Sequence, residues 1–270
     1  MMRMIFPLPL PLPHRNQLTV TLNFSREIDK PKSNKMENQK RIKEEERKPP
    51  RVLCLHGFRT SGEILKKQML PKWPESVVKK LDLVFVDAPF PCTGKSDVEG
   101  FYDPPYYEWY QFDKETTEYR NFDECLEYVE DIMIKQGPFD GLLGFSQGGI
   151  LSAGLPGLQS KGLALTKVPK IKFVIIIGGA MFQSPAIADK AYSPSSPVQC
   201  PSLHFIGEKD FMRRYGEKLL ELFVEPVVIR HPDGHIIPSL DDNGLEMMFK
   251  FLEKIDQLTN GAHLLSKSKN

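Results

Sequence analysis

An apolar run, Phe139-Asp140-Gly141-Leu142-Leu143, leads into Gly144-Phe145-Ser146-Gln147-Gly148, and a helix-compatible run from 150 to 158 leads out of it. Strand, tight turn and helix in this order form a nucleophile elbow, which lifts a serine hydroxyl to the top of a parallel sheet. The serine adopts a strained, left-handed-like conformation, so the residues two before and two after it must be nearly free of side chain. The pattern predicts that Ser146 is a nucleophile and that a bulkier residue at 144 or 148 blocks the turn.

Three further polar positions follow predicted strands. His56-Gly57 follows the apolar run 52–55, Asp210 follows the run 203–206, and His235 comes after the run 227–229. The chain order Ser, Asp, His, with each residue at the carboxyl end of a strand, is the order that the α/β-hydrolase fold uses. A bare Gly-x-Ser-x-Gly is common by chance, and this context makes it informative.

Short β-branched runs alternate with helix-compatible stretches from Arg51 onward. Continuous apolar runs such as 173–177 indicate strands that are buried on both faces, as in parallel sheets covered by helices. We predict an α/β-hydrolase fold, a three-layer sandwich with a mostly parallel six-stranded sheet that lacks the N-terminal strand pair of larger members. The predicted strands are 52–55, 82–86, 140–145, 173–177, 203–207 and 226–230, and the predicted helices are 62–70, 121–135, 147–159, 213–223 and 241–257.

The composition divides the chain into three parts. Residues 1–50, with alternating proline and leucine from Pro7 to Pro13 and a charged run after residue 27, are predicted to be a disordered tail. Residues 51–258 are predicted to form the hydrolase domain, with an aromatic-rich insertion at about 88–121, and residues 259–270 a flexible C-terminal tail. Two interpretations of the first 35 residues remain open: an organelle transit peptide, or an extension ahead of an alternative start at Met36.

Charge and cysteine content argue against several classes of protein. A net charge of +1 over 270 residues leaves no basic face for nucleic acid. The four cysteines are far apart with no Cys-x-x-Cys spacing, so we expect neither a disulfide framework nor a zinc site, and we expect a reducing, cytoplasmic location. No apolar run approaches 18 residues and no amphipathic or lipidated segment is present, so stable membrane association is not expected.

The predicted nucleophile needs a base and a carboxylate. A serine hydroxyl is feebly reactive without a base in hydrogen-bond reach, and His235, after a turn that contains Gly234, is the candidate. His231, nearer the strand, is the alternative base. Asp210 is the candidate for the carboxylate that orients the imidazole, and Glu208 is its nearest rival.

The oxyanion that forms on attack needs preorganised donors. We predict that these are the backbone N–H groups of Gln147, directly after the nucleophile, and of Phe58, in the loop after the first strand. His56 is expected to pack and form hydrogen bonds beneath the site.

Aromatic residues are concentrated in the insertion, with seven in the twelve residues 101–112. Loops this long in compact domains are usually functional or disordered. We predict that the insertion forms a wall of the substrate pocket, which would suit a hydrophobic acyl group. The rings could also merely pack the insertion on the domain, and both interpretations can hold together. The predicted pocket residues are Tyr106, Tyr107, Trp109 and, in the 180–200 loop, Phe182.

Four segments of the chain stand out together: Leu55-His56-Gly57-Phe58, Pro104-Pro105-Tyr106-Tyr107-Glu108-Trp109, Gly144-Phe145-Ser146-Gln147-Gly148-Gly149 and His231-Pro232-Asp233-Gly234-His235-Ile236-Ile237-Pro238. In combination they resemble the eukaryotic family of serine hydrolases, which are small α/β-hydrolases. The resemblance covers about residues 51–255. It implies a Ser-Asp-His esterase or thioesterase without metal or organic cofactor, with these roles falling on Ser146, Asp210 and His235. Acyl-protein thioesterases share the Gly-Phe-Ser-Gln-Gly elbow but not the aromatic insertion.

The expected function is hydrolysis of small-molecule carboxylic esters, or thioesters, of hydrophobic acyl groups through an acyl-serine intermediate. The alternative is a non-catalytic small-molecule receptor or interaction module on the same fold. The sequence leaves open the acyl length, the ester or thioester preference and the oligomeric state.

Overall fold

The computed structural model describes residues 48–267 except 114, 116 and 194, with side chains described as far as Thr259. The tail predicted to be disordered therefore lies, up to residue 47, outside the described residues.

A six-stranded sheet forms the centre of the domain, and all its strand pairs are parallel. The strand order is β6-β5-β4-β3-β1-β2, as is expected when helices connect parallel strands on both faces. The six strands lie within one or two residues of their predicted positions. They are β1 Arg51–Leu55, β2 Asp82–Val86, β3 Gly141–Phe145, β4 Phe173–Ile177, β5 Ser202–Gly207 and β6 Val227–His231.

Seven helices occur in the described part of the chain, and they cover the sheet on both faces. Successive residues of a strand point to opposite faces, so Leu142 packs in one core with α3 to α6 while Leu143 packs in the other with α1, α2 and α7. The predicted three-layer α/β-hydrolase architecture is confirmed. The helices are α1 Gly62–Met69, α2 Glu75–Val78, α3 Phe122–Gln136, α4 Gln147–Ser160, α5 Pro185–Ala191, α6 Arg213–Leu220 and α7 Asp242–Lys267.

The structure differs from the prediction in short elements and in helix ends. Helices α2 and α5 were not predicted, and the insertion contains two pairs of two-residue strands: Phe90–Pro91 with Tyr107–Glu108, and Gln111–Phe112 with Tyr119–Arg120. Such short strands carry no usable periodicity. Helix α6 ends at Leu220 rather than 223, and α7 runs to Lys267 rather than 257, into the stretch 259–270 that was predicted to be a tail, because no proline interrupts it.

The sheet brings distant parts of the chain to one edge. Leu55 is in register with Gly144, Phe145 with Ile177, and His231 with Gly207, so these strands end at the same level. The loops that follow β1, β3, β5 and β6 therefore meet at the carboxyl edge, where ligand sites of parallel sheets form. None of the helices in this part of the chain has the length and apolar character needed to cross a bilayer.

Candidate active site

Ser146 occupies the strained turn between β3 and α4. Its φ of 54° lies in the left-handed region, and its ψ is −117°. Backbone hydrogen bonds fix the turn, since the Ser146 N–H donates to the Ile177 carbonyl at 3.0 Å and the Gly148 N–H donates to the His56 carbonyl at 3.1 Å. A strained conformation of this kind persists only where the surroundings hold it, and it is typical of active sites.

The two glycines of the elbow have no room for a side chain. A Cβ on Gly144 would overlap the Gly148 carbonyl, and a Cβ on Gly148 would lie 2.6 Å from the His56 carbonyl oxygen and closer still to the Leu55 carbonyl. Backbone atoms on both sides make the overlap difficult to relieve.

We expect Gly148→Ala to lower the free energy of unfolding by about 1–3 kcal/mol, because the added methyl group must displace the β1 backbone. Urea denaturation measures this change. Gly216→Ala in α6 is the control: its Cβ would come no closer than 3.3 Å to a neighbouring atom, the Gly179 carbonyl oxygen. Equal stability of the two variants would contradict the steric argument.

Ser146, His235 and Asp210 form one chain of hydrogen bonds. His235 Nε2 lies 2.9 Å from Ser146 Oγ, and His235 Nδ1 lies 3.0 and 2.9 Å from the two carboxylate oxygens of Asp210. A carboxylate only accepts hydrogen bonds, so Nδ1 carries the proton and Nε2 is the acceptor for the serine hydroxyl. The imidazole is thus in the tautomer that a general base requires.

Asp210 is held in its ionised form. Burial raises the pKa of its carboxyl group, but the hydrogen bond from His235 and a second one from the Met212 N–H, at 2.7 Å, outweigh burial and bring the pKa below its usual value. Its side chain is only 4% exposed, so the carboxylate is shielded from water and its hydrogen bond to His235 Nδ1 orients the imidazole.

The two alternative residues, His231 and Glu208, lie outside this chain of hydrogen bonds. His231 ends β6, and its buried Nδ1 has no hydrogen-bond partner among the described residues and lies 3.9 Å from Asp233. Burial lowers the pKa of His231, so it is neutral at physiological pH. Glu208 is exposed, and its N–H donates to the His231 carbonyl. The structure thus places His235 and Asp210, rather than His231 and Glu208, at the serine.

Two phenyl rings flank the His235 imidazole. Phe145 stacks on it with centroids 5.1 Å apart, and Phe211 lies 4.6 Å away. Phe211 is 76% exposed, which is unusual for a phenylalanine. It lines a cavity beside Ser146, and the imidazole next to it is 16% exposed.

The predicted oxyanion-hole residues, Phe58 and Gln147, both line the cavity beside Ser146. Among the described residues, neither backbone N–H donates a hydrogen bond to another protein group. Gln147 is the first residue of α4, whose N-terminal amides also carry the positive end of the helix dipole. The two amides are available to an anionic oxygen.

His56 lies beneath the site and is fully buried. Its Nε2 accepts from the Ala88 N–H at 3.0 Å, while Nδ1 contacts the Gly57 carbonyl oxygen at 2.8 Å and Thr60 Oγ1 at 3.1 Å. Burial lowers the pKa of His56 to about 4 although the Gly57 carbonyl opposes this, so the ring is neutral and braces the loop after β1.

A cavity of about 840 Å³ opens beside Ser146. Its walls are mainly aromatic and aliphatic, with the polar side chains of Lys67, Gln68, Lys72 and Asp97 on the helix α1 side and the insertion side. The wall residues with a phenyl or phenol ring are Phe58, Tyr102, Tyr110, Phe112, Tyr119, Phe145, Phe211 and Tyr215.

None of the four residues predicted to line the pocket does so, and this part of the prediction needs correction. The Trp109 ring is fully buried and its indole N–H donates to the His56 carbonyl, while Phe182 packs in the core against Phe122. Tyr107 pairs with Thr60 through its backbone, and the Tyr106 hydroxyl donates to the Tyr102 carbonyl. Side chains alternate in direction along this extended segment. Those of residues 107 and 109 therefore point away from the cavity, while Tyr110 and Phe112 line it.

The described side chains include no group of three or more His, Cys, Asp or Glu residues arranged to hold a metal ion.

Solved structures and curated proteins resemble this chain over most of the domain. Acyl-protein thioesterase 2 from Zea mays superposes with a TM-score of 0.52 at 16% identity, over 77% of this chain and 94% of that one, and so shares the fold. An esterase from Anopheles gambiae is 33% identical over 200 residues, which are 70% of this chain and 72% of that protein. Esterase OVCA2 from Danio rerio is 27% identical over 212 residues, 71% of this chain and 91% of that protein.

The family comparison agrees with these likenesses. The model of the family described as serine hydrolase (FSH1) matches residues 45–246, so the chain belongs to this family of α/β-hydrolases. The resemblance inferred from four short segments is confirmed. Family membership supports ester hydrolysis as the general class of reaction.

Proposed function

We propose that this protein hydrolyses carboxylic esters, or thioesters, of hydrophobic acyl groups through an acyl-Ser146 intermediate. The observation that carries the proposal is the hydrogen-bond chain from Ser146 Oγ through His235 to Asp210, beside a cavity with mainly apolar walls. A nucleophile, a base and an orienting carboxylate in contact are the requirement for acyl transfer.

In the acylation step, Ser146 Oγ attacks the acyl carbon while its proton passes to His235 Nε2. The carbonyl oxygen becomes negative and accepts hydrogen bonds from the N–H groups of Phe58 and Gln147. Asp210 stabilises the imidazolium that has formed. The imidazolium then gives its proton to the departing oxygen or sulfur, and the carbonyl of the acyl-serine reforms.

In the deacylation step, water takes the place of the leaving group. His235 Nε2 removes a proton from the water as it attacks the acyl-serine, and the same amides stabilise the second oxyanion. The proton returns to Ser146 Oγ when the carboxylic acid leaves. These steps use only protein groups and water.

The cavity supports an apolar substrate. Rings on several sides would surround an alkyl or aryl acyl group, since apolar pockets with a few convergent polar groups bind ligands of that kind. A small-molecule ester as the partner, without nucleic acid or stable membrane association, and a cytoplasmic location remain predictions from the sequence.

A fluorophosphonate probe tests the proposal, because it forms a covalent bond with an activated serine. We expect labelling of the wild-type protein, no labelling of Ser146→Ala, and labelling of His235→Ala slower by about three orders of magnitude or more, because the base is missing. Gel fluorescence against time gives the rates.

His231→Ala is the matched control, since it removes the histidine that ends β6, just before the His235 loop, and should label at nearly the wild-type rate. Unchanged labelling of Ser146→Ala would remove Ser146 from the role. Tight binding of a small ester by the wild-type protein, with no turnover and no labelling, would favour the receptor alternative instead.

A further inference from the structure

We infer that the insertion at 88–121 holds the oxyanion-hole amides in position, and that Glu108 is the positioning residue for the Phe58 N–H. This inference rests on the proposed function. It gives the insertion a role in catalysis that goes beyond forming part of the cavity wall.

The first observation is an ion pair directly beside Phe58. Arg59 Nε donates to Glu108 Oε1 at 2.7 Å, and a terminal nitrogen of Arg59 donates to the Lys95 carbonyl at 3.0 Å. The Glu108 side chain is 3% exposed, while that of Arg59 is 30% exposed. The Arg59 guanidinium also lies over the Phe58 ring, 4.7 Å from its centroid. One carboxylate from the insertion thus holds the residue that follows the oxyanion-hole donor.

The backbone at Arg59 needs this support. Its φ of 55° lies in the left-handed region, which is unfavourable for a residue with a side chain. The Ser96 hydroxyl donates to the Arg59 carbonyl at 2.6 Å, and the Tyr107 N–H donates to the Thr60 carbonyl at 2.7 Å. Contacts from the insertion therefore fix both the side chain and the backbone of the loop after β1.

The burial and pairing of the Glu108 carboxylate fit a positioning role, whereas a carboxylate that serves solubility would be exposed. A buried carboxylate is costly unless it is paired and hydrogen-bonded, and the second oxygen of Glu108 accepts from Gln111 Nε2 at 3.0 Å. Loss of Arg59 would leave the buried Glu108 carboxylate without its cationic partner, so the ion pair favours contact between the insertion and the loop after β1.

The second observation concerns the other amide. The Gln147 side chain is buried, accepts from the Trp109 N–H at 3.1 Å and donates to the Tyr110 carbonyl at 2.8 Å. The indole of Trp109 donates to the His56 carbonyl at 2.9 Å. Three successive residues, 108 to 110, thus contact both segments that carry the proposed oxyanion-hole amides.

The kinetic consequence follows from what an oxyanion hole does. Its donors act on the charged oxygen of the transition state and much less on the neutral carbonyl of the substrate, so their misplacement lowers kcat and leaves KM nearly unchanged. Removal of one donor costs about 100- to 1,000-fold in kcat, and displacement of one donor by loss of its support should cost less.

The test compares Glu108→Gln with wild-type protein in hydrolysis of a p-nitrophenyl ester of a medium-length fatty acid. We expect kcat to fall about 10- to 100-fold with KM within about twofold. Arg59→Lys, which keeps the charge but loses the planar fork, should behave in the same way, and the double variant should be no worse than the more severe single variant.

A reversible inhibitor provides a measurement that a merely structural role would not change. Ser146 Oγ can add to the carbonyl carbon of an alkyl trifluoromethyl ketone, and the tetrahedral adduct that results carries an oxyanion. The alkyl alcohol of equal length has no carbonyl group and forms no such adduct. We expect the inhibition constant of the ketone to rise in parallel with the loss of kcat, and that of the alcohol to stay the same.

Asp140→Asn is the matched control, because it also converts a carboxylate to an amide within an ion pair. Asp140 binds Lys172 Nζ at 2.7 Å and the Arg51 N–H at 2.9 Å, at the opposite edge of the sheet. We expect this variant to lose thermal stability while kcat and ketone affinity remain within about twofold of wild type.

Two results would overturn the inference, and they differ from each other. If Glu108→Gln and Arg59→Lys lose stability as the control does but keep kcat and ketone affinity, the ion pair is only structural while the proposed function stands. If the wild-type protein neither hydrolyses the ester nor binds the ketone, the proposed function fails and the inference fails with it.

Discussion

Alanine at position 146 is expected to lower kcat for ester hydrolysis about a millionfold, the size of loss seen when a triad serine is removed. His235→Ala should cost a similar factor, because Ser146 Oγ and His235 Nε2, 2.9 Å apart, share the proton whose transfer makes the oxygen nucleophilic. The double variant should be no slower than either single variant, since the pair acts as one unit. Steady-state kinetics with a p-nitrophenyl ester measures all three rates.

The pattern of these losses is more informative than their size. Losses that multiply in the double variant would mean that the two side chains act independently, which the hydrogen bond between them contradicts. His231→Ala again serves as the control, and an equally large loss in that variant would count against the assignment of His235 as the base.

Asp210→Asn is expected to lower kcat by about four orders of magnitude while the protein remains folded. The asparagine oxygen can keep the hydrogen bond from the Met212 N–H, and its amide group then faces His235 Nδ1. An amide N–H cannot accept from Nδ1, so the imidazole is driven to the tautomer with the proton on Nε2, where it cannot accept the serine proton.

The pH dependence of kcat in the wild-type protein provides a second test of the pair formed by His235 and Asp210. The pKa of Asp210 lies below its ordinary value, so the carboxylate stays ionised as the solution becomes acidic and the loss of activity reports protonation of His235. Activity should be present at the higher pH and fall on acidification, because the attacking step needs a neutral imidazole as its base.

Asp233→Asn, which alters an exposed carboxylate in the His235 loop, is the control for Asp210. It should leave both kcat and the profile unchanged. A flat wild-type profile under conditions where chemistry limits the rate would contradict the role of His235.

The sequence predicted well wherever one local rule dominates. The strands were found because each is a short apolar run buried on both faces, as with Phe173–Ile177. The elbow was found because two glycines must flank Ser146, a requirement that the backbone contacts of Gly144 and Gly148 explain. His235 and Asp210 were singled out because the chain order of the fold requires them after the last strands.

The cavity could not be predicted in the same way. Aromatic content marked the insertion as important, but it gave no direction to the individual rings, and Trp109 points into the core while Phe112 faces the cavity. Direction there depends on two-residue strands and on contacts such as that between Arg59 and Glu108, which join residues 49 positions apart. Long-range pairing of this kind leaves no periodic signal in the sequence.

The position of β6 affects the order in which activity and structure are lost on denaturation. This strand lies at the border of the sheet and pairs with β5 alone, and His235 follows it by four residues. Edge strands open at a lower free energy of local unfolding than central strands do. Fraying there would withdraw the imidazole while Ser146, between the central strand β3 and helix α4, kept its geometry, so inactivation would precede global melting.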